Sequence, residues 1–384
     1  MPASIPDFEN MLDALVATPS VSSVNPAFDM GNRAVVDLIA NWVQDIGFRV
    51  EFIALDDTGN KANLIASLGE GADGLVLAGH ADTVPCDPDR WTHDPFRLTV
   101  TDDRLIGLGT TDMKGFLALA IEAAASVSAA RLAHPLHIVV TADEESTMRG
   151  ARLLAESGAL RARYAVIGEP TALVPIRMHK GVSMDALTII GRAGHSSDPR
   201  LGVNAIDGMH VAIAELMAFR DELKSRYPNA AFEPPFPTMN LGHIHGGDNP
   251  NRICGQCELH YDLRSMPGMD AATLRAELTQ RVRARLNGTG LAFEIRNLDS
   301  AIPAFESPPD GALVRALEAI TGNAARAAAF GTEAPFFARL GMETIVCGPG
   351  DIGCAHQPDE HLAIARIAPA RDMLNRLIRK FCLT

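Results

Sequence analysis

His80, Asp82, Asp112, Glu144, Glu145, Glu169 and His356 all stand just past the end of a short apolar run. "GLVLAGHADTVP" reads as a strand up to His80 and then meets Asp82, while "LHIVVTA" runs into Asp143, Glu144 and Glu145. "YAVIG" runs into Glu169, "RLIGLGTT" into Asp112 before a helix, and "METIVCGPGDIGCA" through a Gly-rich loop to His356. In an open α/β sheet, ligands bind in the crevice beyond the carboxyl ends of the strands, so side chains placed this way can converge. Two histidines with three or four carboxylates make a metal site, and the set exceeds what one Zn²⁺ uses. Imidazole with carboxylate suits zinc or a similar borderline metal better than calcium or magnesium, which take all-oxygen shells. Two metals sharing a bridging carboxylate would employ every member. Singly, each residue has an ordinary explanation. A histidine after a strand is a loop or core residue, Asp82 caps a turn, Glu144 and Glu145 are solvated, and Glu169 before Pro170 is a turn. The shared position argues for the site.

The elements that must carry these residues alternate between strand and helix. "GNRAVVDLIANWVQDIGF" has helical spacing, with Asn32 near its start and Gly47 as its C-cap. "NLIASL", "GLVLAG", "RLIGLG", "LHIVVTA" and "YAVIG" read as strands, with helical segments over Lys114–Ala130 and Arg149–Glu156 among them. This pattern predicts an α/β fold, a mixed, largely parallel sheet sandwiched by helices. From about His179 to Asn297 the order becomes β-α-β-β-α-β, the split βαβ or ferredoxin-like unit. Strand pattern resumes at "ARAAAFG" and "METIVCG", and a helix closes the chain. The expected organisation is a catalytic domain of residues 1–178 and 298–384 with an inserted domain of residues 179–297.

Composition narrows the function. The 384 residues are 47% hydrophobic and 21% charged, which describes a folded chain long enough for two domains. With 34 basic against 47 acidic side chains, the net charge of −13 disfavours a nucleic-acid or anionic-membrane surface and suits an enzyme of small molecules. Asp7 and Glu9 stand where a signal peptide would be positive, and "GFLALAIEAAASVSAA" is interrupted by Glu122, so a cytoplasmic protein is expected. The six cysteines are expected to be reduced. Cys254 and Cys257 form a lone CxxC in "RICGQCELHYDLR", which alternates like a strand and would turn the two thiols to opposite faces. That argues against a zinc ribbon.

The blocks "GHADTVP", "GLGTTDMKG", "TADEEST", "GEPT" and "AHQPDE" resemble, in order and essentially end to end, the signatures of the dinuclear zinc amidohydrolases. The resemblance implies two Zn²⁺ per subunit, with Co²⁺ able to substitute. His80 and Glu169 would hold one ion, Glu145 and His356 the other, and Asp112 would bridge them. It implies Glu144 as general base and Asp82 as the carboxylate behind His80. It further implies that the inserted domain is a lid and homodimerisation surface, with His195 of "GRAGHSSDP" donating to the oxyanion in the partner's site. Asn251 and Arg264 would hold the substrate α-carboxylate. The loop "FGTEAPFF" resembles the form in members acting on N²-acetyl-L-ornithine, which implies release of acetate and L-ornithine in arginine biosynthesis. Glu333 would then face the substrate's δ-ammonium, with Thr332 beside it; equally, Thr332 caps a helix and Glu333 meets its dipole. Two alternatives stand beside this expectation: a deacylase for another N-acyl amino acid, and an inactive zinc-binding scaffold.

Overall fold

The computed structural model describes residues 5–127 and 131–383. The chain divides into two units. The first holds the chain up to Arg177, Ser307–Arg326 and the segment from Thr332 onward; the second holds Met178–Glu306 and Ala327–Gly331.

The first unit is built on a mixed sheet. Leu136–Thr141, Leu75–His80, Tyr164–Ile167 and Glu343–Val346 lie side by side in that order and run parallel. Ala62–Leu68 pairs antiparallel with Leu136–Thr141, and Arg49–Ala54 antiparallel with Ala62–Leu68. The parallel strands Leu75–His80, Leu136–Thr141 and Tyr164–Ile167 are buried at every position, which is why they read as unbroken apolar runs rather than alternating ones. Arg49–Ala54 is mostly exposed and keeps Arg49 and Glu51 at the sheet edge, where charge discourages further pairing. The expected α/β class is met, with antiparallel pairing at the margins.

The helix Lys114–Ala125 is buried on nearly all sides and packs on Leu75–His80 and on the C-terminal helix Ile364–Phe381. It ends earlier than the expected Lys114–Ala130, of which residues 128–130 lie outside the described residues. Asn32 precedes the helix Arg33–Asp45 but does not cap it: its side chain pairs both ways with the main chain of Ala62, at 2.9 and 3.0 Å. Gly47 lies just beyond the last turn with φ +93°, the left-handed conformation in which a side chain would be strained.

The second unit carries the order β-α-β-β-α-β. Its antiparallel sheet runs Thr238–Gly246, Gln256–Ser265, Gly181–Ile190, Ala292–Asn297. Leu187, Ile189, Leu259, Tyr261 and Leu263 of the sheet share one core with Leu216 and Phe219 of Ala205–Arg226 and Leu274 and Leu278 of Ala271–Leu286. Asn204 and Asp270 cap these helices through their side chains, accepting from Ile206 N at 3.0 Å and Thr273 N at 2.8 Å. "RICGQCELHYDLR" is not one strand. Arg252–Ile253 leaves to pair with Gly194–His195, and Gln256–Ser265 starts after Gly255. The opposite-face argument for Cys254 and Cys257 therefore fails. Both thiols are free and buried, and neither belongs to a metal-competent group among the described residues.

Candidate metal centre

Sheet register brings the donors side by side. His80 stands opposite Thr141, and Ile167 opposite Ala78, so the register carried two residues on sets Glu169 level with His80. His80 is a strand residue itself, Glu144 and Glu145 follow in the turn after Thr141, and Glu169 follows Ile167. Asp112 precedes the helix Lys114–Ala125, and His356 comes from the loop after Glu343–Val346. The crevice expected from strand polarity is where these side chains meet.

Asp112 lies between the two histidines. Its Oδ1 is 3.1 Å from His80 Nε2, and its Oδ2 is 3.4 Å from His356 Nε2, which is also 3.0 Å from Glu145 Oε1. One oxygen toward each imidazole is the disposition of a carboxylate shared by two cations. Donor atoms of His80, Glu144 and Glu169 lie within 4.8 Å of one another, and so do those of His80, Asp112 and Glu145. Glu169 Oε1 and Asp82 Oδ1 are buried with no hydrogen-bond partner, a costly state for carboxylate oxygens unless a cation compensates them. Imidazole nitrogens with carboxylate oxygens fit zinc-like divalent ions. Geometry places Glu144 in the same group as His80 and Glu169, whereas the resemblance had kept it apart from the ligands.

The electrostatics record crowded acids. Burial, then the charge of Glu169, holds the Glu144 carboxyl well above its ordinary range; burial, then Asp112, does the same for Glu169. Glu145 is raised by burial and by Asp112. Burial disfavours a charged His80, but its hydrogen bond to Asp112 and the surrounding carboxylates outweigh this and raise it well above the usual histidine range. His356 is raised to about 10, chiefly by Asp112 and then Glu145. A centre that draws protons this strongly has more negative charge than its own imidazoles neutralise.

Asp82 departs from its expected contact. The close partner of His80 Nδ1 is the main-chain carbonyl of Asp82, at 2.9 Å, while the carboxylate oxygen is 3.9 Å away. Nδ1–H donates to that carbonyl, which turns Nε2 toward the cluster. The carboxylate instead accepts from Glu145 N at 3.1 Å, bracing the acidic turn.

Three supporting residues, Asp143, Lys61 and Lys114, were not singled out from the sequence. Asp143 takes φ 58°, and its Oδ1 accepts from Lys61 Nζ at 2.6 Å and Ser22 Oγ at 2.9 Å. Lys61 also reaches Asp29 at 2.8 Å. Together they hold the turn that presents Glu144. Lys114, fully buried, donates to the carbonyls of Leu15 and Thr18 at 2.8 and 3.0 Å, and burial lowers its pKa to about 7. These partners lie far apart in sequence, so local pattern held no signal for them. The left-handed Asp143 leaves no trace of its own in residue type.

Thr332 Oγ1 accepts from Ala334 N at 3.1 Å at the start of the helix Ala334–Arg339. Glu333 is fully buried: Oε2 accepts from Thr141 Oγ1 at 2.9 Å, Oε1 has no partner, and burial raises its pKa to about 7. A cavity of 210 Å³, lined by Cys86, Trp91, Leu108, His356 and Gln357 among others, opens beside the half-exposed His356.

The remaining candidates lie in the second unit. His195 pairs in register with Arg252, and Ser196 N donates to Asn251 O at 3.0 Å, so His195 and Asn251 are neighbours on one short ribbon. Ser197 N donates to His195 Nδ1 at 3.2 Å. That nitrogen is therefore an acceptor, and the ring proton sits on Nε2 at an exposed position. Arg264 lies on the strand Gln256–Ser265 and engages Asp262 through Nε at 2.9 Å.

Residues 76–380 match the model of peptidase family M20/M25/M40, and the chain belongs to this family of metal-dependent hydrolases. Among curated relatives, it is 49% identical over 382 residues to the acetylornithine deacetylase of Edwardsiella ictaluri (strain 93-146), covering 100% of both chains. Among solved structures, it superposes on a tripeptidase from Staphylococcus aureus with a TM-score of 0.77 at 20% identity, over 97% of each chain. A dinuclear metal binding peptidase of the M20 family from Bacillus subtilis gives 0.68 at 16% identity, over 96% of each. The two structures share the fold. Among the described residues, no helix is long and apolar enough to cross a membrane.

Proposed function

We propose that this chain hydrolyses N²-acetyl-L-ornithine to L-ornithine and acetate, with two zinc ions at the centre around Asp112, as a cytoplasmic homodimer serving arginine biosynthesis. The observation that carries the reading is the end-to-end 49% identity with a relative named for that reaction. His80 and Glu169 would hold one ion, Glu145 and His356 the other, with Asp112 shared. Cobalt is expected to substitute, since it tolerates the same donors. When bound, such ions bring the pKa of water from about 15.7 toward about 7 and polarise a carbonyl oxygen.

The chain's own groups account for the rest. Glu144 accepts the proton of the attacking water at its carboxylate and delivers it to the departing nitrogen. Its burial suits this, because a carboxyl held above its ordinary range is a stronger proton acceptor than a solvated one. His80 is oriented by the Asp82 carbonyl, and the Asp82 carboxylate steadies the Glu145 amide. His195, with its proton on Nε2, is assigned as donor to the oxyanion, a contribution of roughly 3–4 kcal/mol. Asn251 and Arg264 are assigned to the substrate α-carboxylate, for which a planar guanidinium is matched. In this reading, the inserted residues 179–297 are lid and dimerisation domain, and residues 1–178 with 298–384 are catalytic.

Burial of Glu333 favours a second reading of selectivity. Its free Oε1 receives the δ-ammonium only if the substrate penetrates that deep. If it does not, Glu333 with Thr332 supports the centre from beneath Thr141, and the chain is a deacylase of broader N-acyl amino acid range. Amine release by purified, zinc-loaded protein separates the possibilities, using N²-acetyl-L-ornithine, N-succinyl-diaminopimelate and N-acetyl-L-methionine. Preference for acetylornithine supports the proposal. Preference for another substrate keeps the site and replaces the substrate. No cleavage with two ions bound leaves a scaffold.

A further inference from the structure

Glu360 stands four residues after His356, is buried, and belongs to no metal-competent group among the described residues. Its Oε1 accepts from two successive main-chain amides, Thr111 N at 2.9 Å and Asp112 N at 3.0 Å. Its own carbonyl accepts from Gly107 N at 2.9 Å. The next residues, His361–Ala363, pair antiparallel with Arg104–Ile106. One residue thus ties the segment carrying Asp112 to the segment carrying His356, with side chain and main chain both engaged. Successive N–H groups form a concavity that binds anions, and here the chain fills it with a carboxylate of its own. Two amides of adjacent residues converging on one buried carboxyl oxygen leave little freedom, so they fix the backbone from which Asp112 projects.

We propose that Glu360 is a positioning residue of the metal centre: it holds the Thr111–Asp112 amides so that the Asp112 carboxylate is already set between His80 and His356 before any ion arrives. A preset ligand loses less conformational freedom on binding, which raises affinity without a new contact. The inference rests on the reading of Asp112 as a shared ligand, and it makes reach, not charge, the property that matters at position 360. Glu360→Asp keeps the charge and withdraws the acceptor by one methylene; Glu360→Gln keeps reach and acceptor oxygen and removes the charge.

The test is a cobalt titration of metal-free protein, followed by visible absorption and by competition with a chelator, on the wild type, both variants and Asp112→Ala. Circular dichroism on the same samples reports folding. Groups outside the ligand shell typically change metal affinity by about 10–100-fold. The expected result is that loss for Glu360→Asp with an altered cobalt spectrum, and affinity within about threefold of wild type for Glu360→Gln. Wild-type affinity in Glu360→Asp, or a larger loss in Glu360→Gln, overturns the proposal while leaving the centre intact. Wild-type cobalt binding by Asp112→Ala overturns the reading of the centre itself. Should Glu360→Asp not fold, a folded Glu360→Gln with tenfold weaker binding or worse also overturns it.

Discussion

At the scale of single residues, Glu144 and Glu169 share burial and a common histidine, yet the proposed chemistry asks different things of them. A proton carrier is replaceable for binding but not for turnover. Glu144→Gln is expected to lower kcat by about 10²–10⁴-fold, with metal content by atomic absorption unchanged. Loss of an ion in that variant would make Glu144 a ligand, as its place in the His80–Glu169 group permits. Glu333 offers a second distinction. If its free oxygen meets a δ-ammonium, Glu333→Ala raises KM for acetylornithine and leaves KM for N-acetyl-L-methionine alone. If Glu333 only supports Thr141 beneath the centre, both substrates lose kcat and chelator competition shows weaker metal binding.

At the scale of elements, the centre depends on parallel strands whose register sets their following residues side by side, and on turns that would not hold their shape unaided. The turn after Leu136–Thr141 has Asp143 in the left-handed region, pinned by Lys61 and Ser22. Removing Lys61 leaves a largely buried carboxylate without its cation. Lys61→Ala is expected to cost about 1–3 kcal/mol of stability and to lower kcat as the Glu144 turn loosens. Asp29→Ala removes only the outer partner and should do less of both. Thermal melting with steady-state kinetics on the two variants checks the order; equal effects would mean that the Lys61–Asp143 contact does not shape the turn.

At the scale of the whole molecule, stability should follow both metal and pH. Crowded carboxylates repel one another, so a cation bound only by the folded state stabilises it, by about 2.7 kcal/mol at a hundredfold excess over Kd. Chelation is expected to lower the melting temperature, and added zinc to restore it. His137 sets a pH dependence away from the centre. It is buried with Nδ1 2.8 Å from Ser67 Oγ, and burial, then Arg49, lowers its pKa to about 4. Between about 6.5 and 4 the unfolded chain binds a proton that the folded chain refuses, so stability is full above this window and falls as pH drops through it. The loss from this one group is on the order of 3 kcal/mol. Denaturant midpoints from pH 7 to 4.5 should flatten in His137→Gln, and an unchanged slope would assign the pH dependence to other groups.

The sequence by itself determined the strand-and-helix alternation, because a buried parallel strand must be apolar at every position and a buried helix such as Lys114–Ala125 nearly so. It also determined which side chains stand at strand ends, since polarity switches abruptly where an apolar run leaves the sheet. What it could not determine were contacts between segments distant in the chain. The backbone carbonyl of Asp82, rather than its carboxylate, orients His80, and main-chain geometry leaves no mark on residue type. Glu144 joins the group of His80 and Glu169 because strand register brings their positions side by side, and register is a property of the pairing. Lys61, Asp143 and Glu360 act through partners that lie anywhere from 32 to 249 residues away. Only folding makes them neighbours, so only the tertiary structure decides what they hold in place.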